Sequence, residues 1–267
     1  MIVFEIRNKD DKRRLLGYLF YYERSRRFFA ELLPGLDEWT APLMFSSHAK
    51  KGILSIDSAW SAKFVNQRIV PPDRQNIGTI LKENGLSSYD EYKLLCLSEG
   101  CCAQDGLFLV RIREDEIDAS VRKRLDEKVL DVMPLSGNKA LVFFKDKLSR
   151  IVDIGELCAE ERAFGNVLRD KETFSNVKVS PGGNGIEWGE ERFVSANTLR
   201  EAGEESAVEY GDLLRFIKDR LADTAEVSKT LNCSRQYVKQ LADKGRLTPV
   251  RDAAGTNTFM RAQLERE

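Results

Sequence analysis

Residues 231–247 read LNCSRQYVKQLADKGRL: a short break, a polar run that begins at Ser234, and a stop at Gly245. Leu231, Cys233, Val238 and Leu241 fall on one side of a 3.6-residue period, and Arg235, Gln236, Lys239 and Gln240 fall on the other. Ser234 suits the cap of a helix because its hydroxyl can accept from a free backbone amide of the first turn. Gly245 suits its end because glycine enters a left-handed turn without strain. A polar helix face is ordinarily just solvated, so the surrounding sequence must decide whether this one reads a ligand.

Upstream, DTAEVSKT (223–230) predicts a second short helix, capped by Asp223 or Thr224, with Ala225, Val227 and Ser228 on its apolar side. Two short helices joined by about four residues have the form of a helix-turn-helix, in which the second helix enters the DNA major groove. Beyond Gly245, the segments RLTPVRD, a small AAG turn, TNTFM and RAQLERE predict a two-stranded wing and a last short helix. From Lys229 to Arg251 six basic residues stand against one acid, Asp243, a local charge of +5. The whole chain, with 42 Lys+Arg and 43 Asp+Glu, has a net charge of -1, so a polyanion-binding patch has to be local. Ser234, Arg235, Gln236, Tyr237, Lys239 and Gln240 are expected to contact double-stranded DNA from the second helix, with Arg235, Gln236 and Lys239 at base edges. Lys244, Arg246 and Arg251 suit the phosphates.

The positions Glu226-Val227-Ser228, Leu231, Ser234-Arg235, Val238, Leu241, Gly245-Arg246-Leu247, Pro249-Val250 and Phe259 resemble the winged-helix units of the MerR and excisionase class. The resemblance runs over residues 223–264, inside a C-terminal domain expected at 213–267. It implies a winged helix-turn-helix that binds DNA. Two departures stand out: Asn232-Cys233 replaces a commoner Gly-Val pair, and Tyr237 is bulkier than the usual small residue.

At 267 residues the chain is long for one domain of roughly 100–200 residues, so two or three are expected. Residues 1–126 are expected to form a mainly helical N-terminal domain of unknown role. MIVFEI is strand-like, and GYLFYYERSRRFF (17–29) is too densely apolar for periodicity to separate hairpin from helix. DSAWSAKFVNQRIV, DRQNIGTILKENG and SSYDEYKLLCLSEG then predict three helices between Asp57 and Gly100.

From Val129 the short runs VLDVMPL, ALVFFKD and LSRIVDI predict an antiparallel meander. A helix at ERAFGNVLRD, a strand at FSNVKVS, a turn at PGGNG, a strand at IEWG and a helix at SANTLREAG, capped by Ser195 or Asn197, complete a small antiparallel α+β domain over 127–204. The order of Asp153 to Leu157, Phe164, Leu168-Arg169-Asp170, Phe174, Val177 to Val179, Gly185-Ile186-Glu187-Trp188 and Leu199 resembles the bacterial family called domain of unknown function 2442, over about residues 127–203. That resemblance implies a compact α+β fold without an established activity, and its members often lie beside toxin-like partners. Between Glu187 and Asp212 eight acids face Arg192 and Arg200, and residues 205–212 are expected to be an acidic linker. The expected class is therefore α+β.

Chemistry finds little to rest on. His48 is the only histidine and has no sequence partner for a dyad. Cys96, Cys101 and Cys102 lack the paired spacing of a zinc site, and PGGNG lacks the Lys-Ser/Thr of a phosphate loop. Aromatics interleaved with Arg24, Arg26 and Arg27 fit a core better than a stacking platform for bases. No catalytic residue, cofactor or metal is expected. Five cysteines suit a reducing compartment, no apolar run reaches the ~20 residues of a membrane span, and the start lacks the order of a signal peptide, so the expected location is cytoplasmic, with no membrane partner. The expected function is a DNA-binding regulator or antitoxin-like protein, with residues 1–204 binding a protein partner or self-associating. The alternatives are a protein-binding adaptor and, more remotely, an enzyme using the N-terminal part.

Overall fold

The computed structural model describes residues 1–10, 14–189, 192–251 and 255–264. Residues 11–13 of the opening segment, Glu190 and Glu191 of the acidic run, Asp252 at the end of RLTPVRD, Ala253 and Ala254 of the expected AAG turn and residues 265–267 of the last helix lie outside them. The chain divides into two compact units, Met1–Glu205 and Ser206–Glu267.

The first unit opens with strands β1 (Ile2–Asn8), β2 (Leu15–Tyr22) and β3 (Arg27–Leu32). Then come α1 (Ser46–Lys50), β4 (Ser55–Ile56), α2 (Ser58–Asn66), α3 (Ile77–Glu83), α4 (Glu91–Leu97), β5 (Leu107–Ile112) and α5 (Ala119–Asp126). The strands make one antiparallel sheet in the order β4-β3-β2-β1-β5. This overturns the expected class of a mainly helical N-terminal domain followed by a small α+β domain and a winged helix-turn-helix: the chain is mixed α/β, carried by four antiparallel sheets.

The reason lies in β2. Leu19 and Tyr21 join Phe64, Val65, Leu94 and Leu95 in a core on one face, while Tyr18 and Phe20 pack with Ile117 and Val121 on the other. A strand covered on both faces reads as a continuous apolar run, without the alternation that would separate it from a helix. Residues 17–29 are thus a hairpin, turned at 23–26 with Arg26 in the left-handed region at φ 54°. Phe28 and Phe29 are buried and cannot stack on bases. The three helices expected after Asp57 are present, two of them capped by Asp57 and Asp90, but they cover the sheet instead of forming a helical domain.

The meander forms from β6 (Val129–Pro134), β7 (Lys139–Phe144) and β8 (Ser149–Asp153), with Leu141 opposite both Met133 and Ile151. After it come α6 (Ile154–Leu157), α7 (Gly165–Arg169), α8 (Lys171–Ser175), β9 (Lys178–Val179), β10 (Gly185–Glu187), β11 (Phe193–Ser195) and α9 (Ala196–Ala202). β9 to β11 form a small sheet in the order β11-β10-β9, and β12 (Glu204–Glu205) adds to the meander beside β8.

FSNVKVS is mostly not strand: Asp170 caps α8 by accepting from the Thr173 amide, and the helix turns Phe174 onto Trp188, ring centres 5.6 Å apart. PGGNG joins β9 to β10, and a Cβ at Gly183 would come 2.2 Å from the Val129 carbonyl oxygen. Glycine there answers a close backbone approach.

The second unit holds α10 (Tyr210–Arg220), β13 (Leu221–Asp223), α11 (Thr224–Thr230), α12 (Arg235–Asp243), β14 (Val250–Arg251), β15 (Asn257–Met260) and α13 (Arg261–Leu264). Its sheet has three strands, β13-β15-β14, where two were expected. Leu221–Asp223 pairs with Thr258–Met260 and so places Ala222 in a core with Val227, Val238, Leu241, Leu247 and Phe259. Of the expected apolar side of α11 only Val227 is buried. The expected linker 205–212 is extended only to Glu209, because the Glu209 and Asp212 side chains cap α10 reciprocally. Among the described residues no helix is long and apolar enough to cross a membrane.

Candidate nucleic-acid interface

α12 is capped by Ser234, whose Oγ accepts from the Tyr237 amide at 3.2 Å. Its inner side is fixed by Val238 and Leu241, both buried, and Leu231 and Cys233 pack half-buried against the same core. The outer side carries Arg235, Gln236, Tyr237, Lys239 and Gln240, all exposed. Arg235 and Lys239, four residues apart, are neighbours on that face, about 5–6 Å between Cβ atoms. Two long cations and two amides therefore project together from a helix that cannot roll without unburying its core.

The joint between α11 and α12 explains one departure from the MerR-like pattern. Asn232 has φ 51°, and the Cys233 amide donates to the Ser228 carbonyl at 3.0 Å while Ser228 Oγ donates to the Cys233 carbonyl at 2.5 Å. The position demands the left-handed region, which glycine enters freely and asparagine tolerates better than most side chains. Cys233 supplies a small, half-buried side chain.

At the far end Gly245 has φ 71°, and the Arg246 amide donates to the Leu241 carbonyl at 2.9 Å, which directs Leu247 into the core. Lys244 and Arg246 are exposed just past the helix and Arg251 is exposed on β14. Two amide side chains not among the expected site residues order this region. Gln263 Oε1 accepts from the Thr248 amide at 2.8 Å and its Nε2 donates to the Thr248 carbonyl at 3.2 Å. Asn257 Oδ1 accepts from Arg251 Nε at 3.1 Å, across the β14–β15 pair. The available signal was an asparagine opposite a basic residue in an expected hairpin. Arg261 Nη2 lies 2.8 Å from Glu226 Oε1, tying α13 to α11.

His48 sits on α1 edge-on to Trp60, ring centres 5.1 Å apart, with Nδ1 buried and lacking a hydrogen-bond partner, and burial lowers its pKa. Burial pushes the Cys158 thiol up to about 11, which makes it a poor nucleophile. Among the described residues no group of three or more His, Cys, Asp or Glu side chains is placed to hold a metal ion. A cleft of about 940 Å³ beside Tyr22 and Trp188 is crossed by Arg27, whose Nη1 donates to both Glu187 oxygens at 2.9 and 2.8 Å. Comparison of the chain with protein-family models, with curated proteins and with solved structures finds no match.

Proposed function

We propose that the second unit binds double-stranded DNA through α12 and that the chain is a DNA-binding regulator or antitoxin-like protein acting in the cytoplasm. One observation carries this: Arg235, Gln236, Lys239 and Gln240 share the exposed side of a helix whose other side is locked by Val238 and Leu241, within a segment of net charge +5. The resemblance to the MerR and excisionase class supports the same assignment. Guanidinium and amide side chains match the donors and acceptors of guanine and adenine edges, and a cluster of Lys and Arg gains from counterion release at phosphates. Residues 1–204 would then hold a protein partner or a second copy.

The test is binding of the full chain to a pool of duplex sequences at 50 to 200 mM salt, set against an Arg235→Ala/Lys239→Ala variant. Selective, salt-sensitive binding that the variant loses supports the proposal; equal binding by both on every duplex defeats it. A protein-binding adaptor is the second reading, favoured by Tyr237 and Val250, which expose 45% and 52% of their surface beside the basic residues. Loss of a protein partner on Tyr237→Ala, with no DNA selected by the wild type, would establish it.

A further inference from the structure

α10 is an 11-residue helix that buries none of its residues. Tyr210, Leu213, Leu214 and Ile217 follow the i, i+3, i+4, i+7 spacing of one continuous apolar stripe, with Phe216 at its edge. Leu214, Phe216 and Ile217 expose 46–50% of their surface. A lone helix of this length is marginal in water, and a contiguous apolar stripe of this kind marks a contact surface.

Charge identifies the occupant. Glu209 caps an acidic first turn, in which Asp212 pairs with Arg215 at 3.6 Å, and the last turn carries Lys218 and Arg220 on either side of Asp219. A helix with an acidic start and a basic end matches a second copy of itself lying antiparallel, where each acidic end meets a basic one and the two dipoles oppose. A parallel copy would set like charges side by side. An antiparallel pair centred between Leu213 and Leu214 also sets Tyr210 of one copy at the level of Ile217 in the other. Glu209 and Arg220 lie on the same edge of the stripe, so they meet across such a pair within reach of the long arginine.

We infer that α10 is a self-association surface at which two copies of this chain pair antiparallel. This surface lies outside residues 1–204, the part of the chain expected from its sequence to self-associate. It deepens the DNA proposal, because two linked units can read two half-sites where one offers a small footprint. A stripe of two to three turns is small by interface standards, so the association is weak and shows at tens of micromolar.

The experiment is sedimentation equilibrium of the full chain from 1 to 100 μM, without DNA. The expected wild-type result is a concentration-dependent shift from the mass of one chain toward that of two. Leu214→Glu and Ile217→Glu should each abolish the shift with circular dichroism unchanged, since neither side chain is buried within one chain. Arg220→Glu should weaken it at least tenfold and Arg220→Lys should restore it. A wild type that stays at one chain's mass throughout, including one whose α10 amides are protected from exchange because another part of the same chain covers them, overturns the inference. So do dimers that survive both glutamate substitutions. Binding of monomeric protein to a duplex with a single half-site tests the DNA proposal separately, so the two can fail independently.

Discussion

Lys128 Nζ lies 2.5 Å from Glu31 Oε1, and both side chains are sealed from solvent, at 2% and 1% exposure. The other carboxylate oxygen accepts from Arg124 Nε at 3.0 Å and from Ser55 Oγ at 2.9 Å, and Lys128 also donates to Ser55 Oγ at 3.2 Å. One carboxylate on β3 thus holds β4, the end of α5 and the residue that leads into β6. The N-terminal sheet and the meander are joined through a buried charge whose partners are all polar, and Arg27 with Glu187 makes a second, less buried tie between β3 and β10. These ties explain why residues 1–205 behave as one compact unit although the sequence changes texture at Val129.

Breaking a buried ion pair by removing one partner leaves the other charged and unsolvated. Glu31→Gln should therefore cost the first unit about 3–5 kcal/mol, since Lys128 and Arg124 would lose their shared counter-charge and face a neutral amide whose nitrogen cannot accept from either. Glu187→Gln, at a pair whose side chains are 14% exposed, should cost clearly less. Urea unfolding of the two variants checks the order, and a loss below 1 kcal/mol for Glu31→Gln would show that the network is not needed for stability.

How much was legible follows from the same packing. α12 could be read residue by residue because it is amphipathic and capped: Ser234, Val238, Leu241 and Gly245 each declare a role through local chemistry. The first unit could not, because β2 hides both faces and the partners of its Tyr18 and Leu19 come from about 100 and 45 residues further along the chain or more, at Ile117 and Phe64. Nothing local announces that Lys128 will find Glu31. The third strand of the C-terminal sheet was missed for a similar reason: Leu-Ala-Asp is too short to show alternation, and only pairing with Thr258–Met260 makes it a strand.

The acidic stretch narrows to a specific cleavage site. A Cβ at Gly203 would meet Arg150 Cβ at 2.7 Å, and Glu204–Glu205 pairs with β8, so the chain up to Glu205 is held by the first unit. α10 begins at Tyr210. Limited proteolysis with a glutamate-directed protease should cut first after Glu205 or Glu209 and release fragments matching the two units. First cuts after Glu201 or Glu204, or resistance of the whole stretch at protease levels that clip ordinary loops, would contradict this placement.

His48 gives the first unit a pH dependence of known sign. Burial lowers its folded pKa below the usual 6.5, with Asp57 opposing the shift, so the unfolded chain takes up the proton more readily. Its contribution to stability is complete above about pH 6.5 and is lost as the pH falls below that value, at no more than about 1.4 kcal/mol per pH unit. His48→Gln removes the titrating group. Urea midpoints between pH 5.0 and 7.5 should therefore fall more steeply for the wild type than for the variant; parallel curves would show that His48 is equally protonated in both states.

The basic residues of the second unit divide by position along α12, and the division can be measured. Arg235, Gln236 and Lys239 lie directly after the Ser234 cap, on the half of α12 that would reach the groove floor under the proposed DNA-binding mode. Lys244 and Arg246 follow the helix, and Arg251, on the edge strand β14, is oriented by Asn257 of β15, which suits flanking phosphates. Arg235→Ala should cost roughly 1–3 kcal/mol on a selected site and relax preference at one base position. Arg246→Ala should weaken every duplex alike and reduce the salt slope by about one unit. Neither side chain belongs to the core of Val227, Val238, Leu241, Leu247 and Phe259, so melting temperatures should stay close to the wild-type value. If the two substitutions change affinity, base preference and salt slope by the same amounts, α12 does not lie in the groove by its N-terminal half, and the basic face acts only as a phosphate-binding patch.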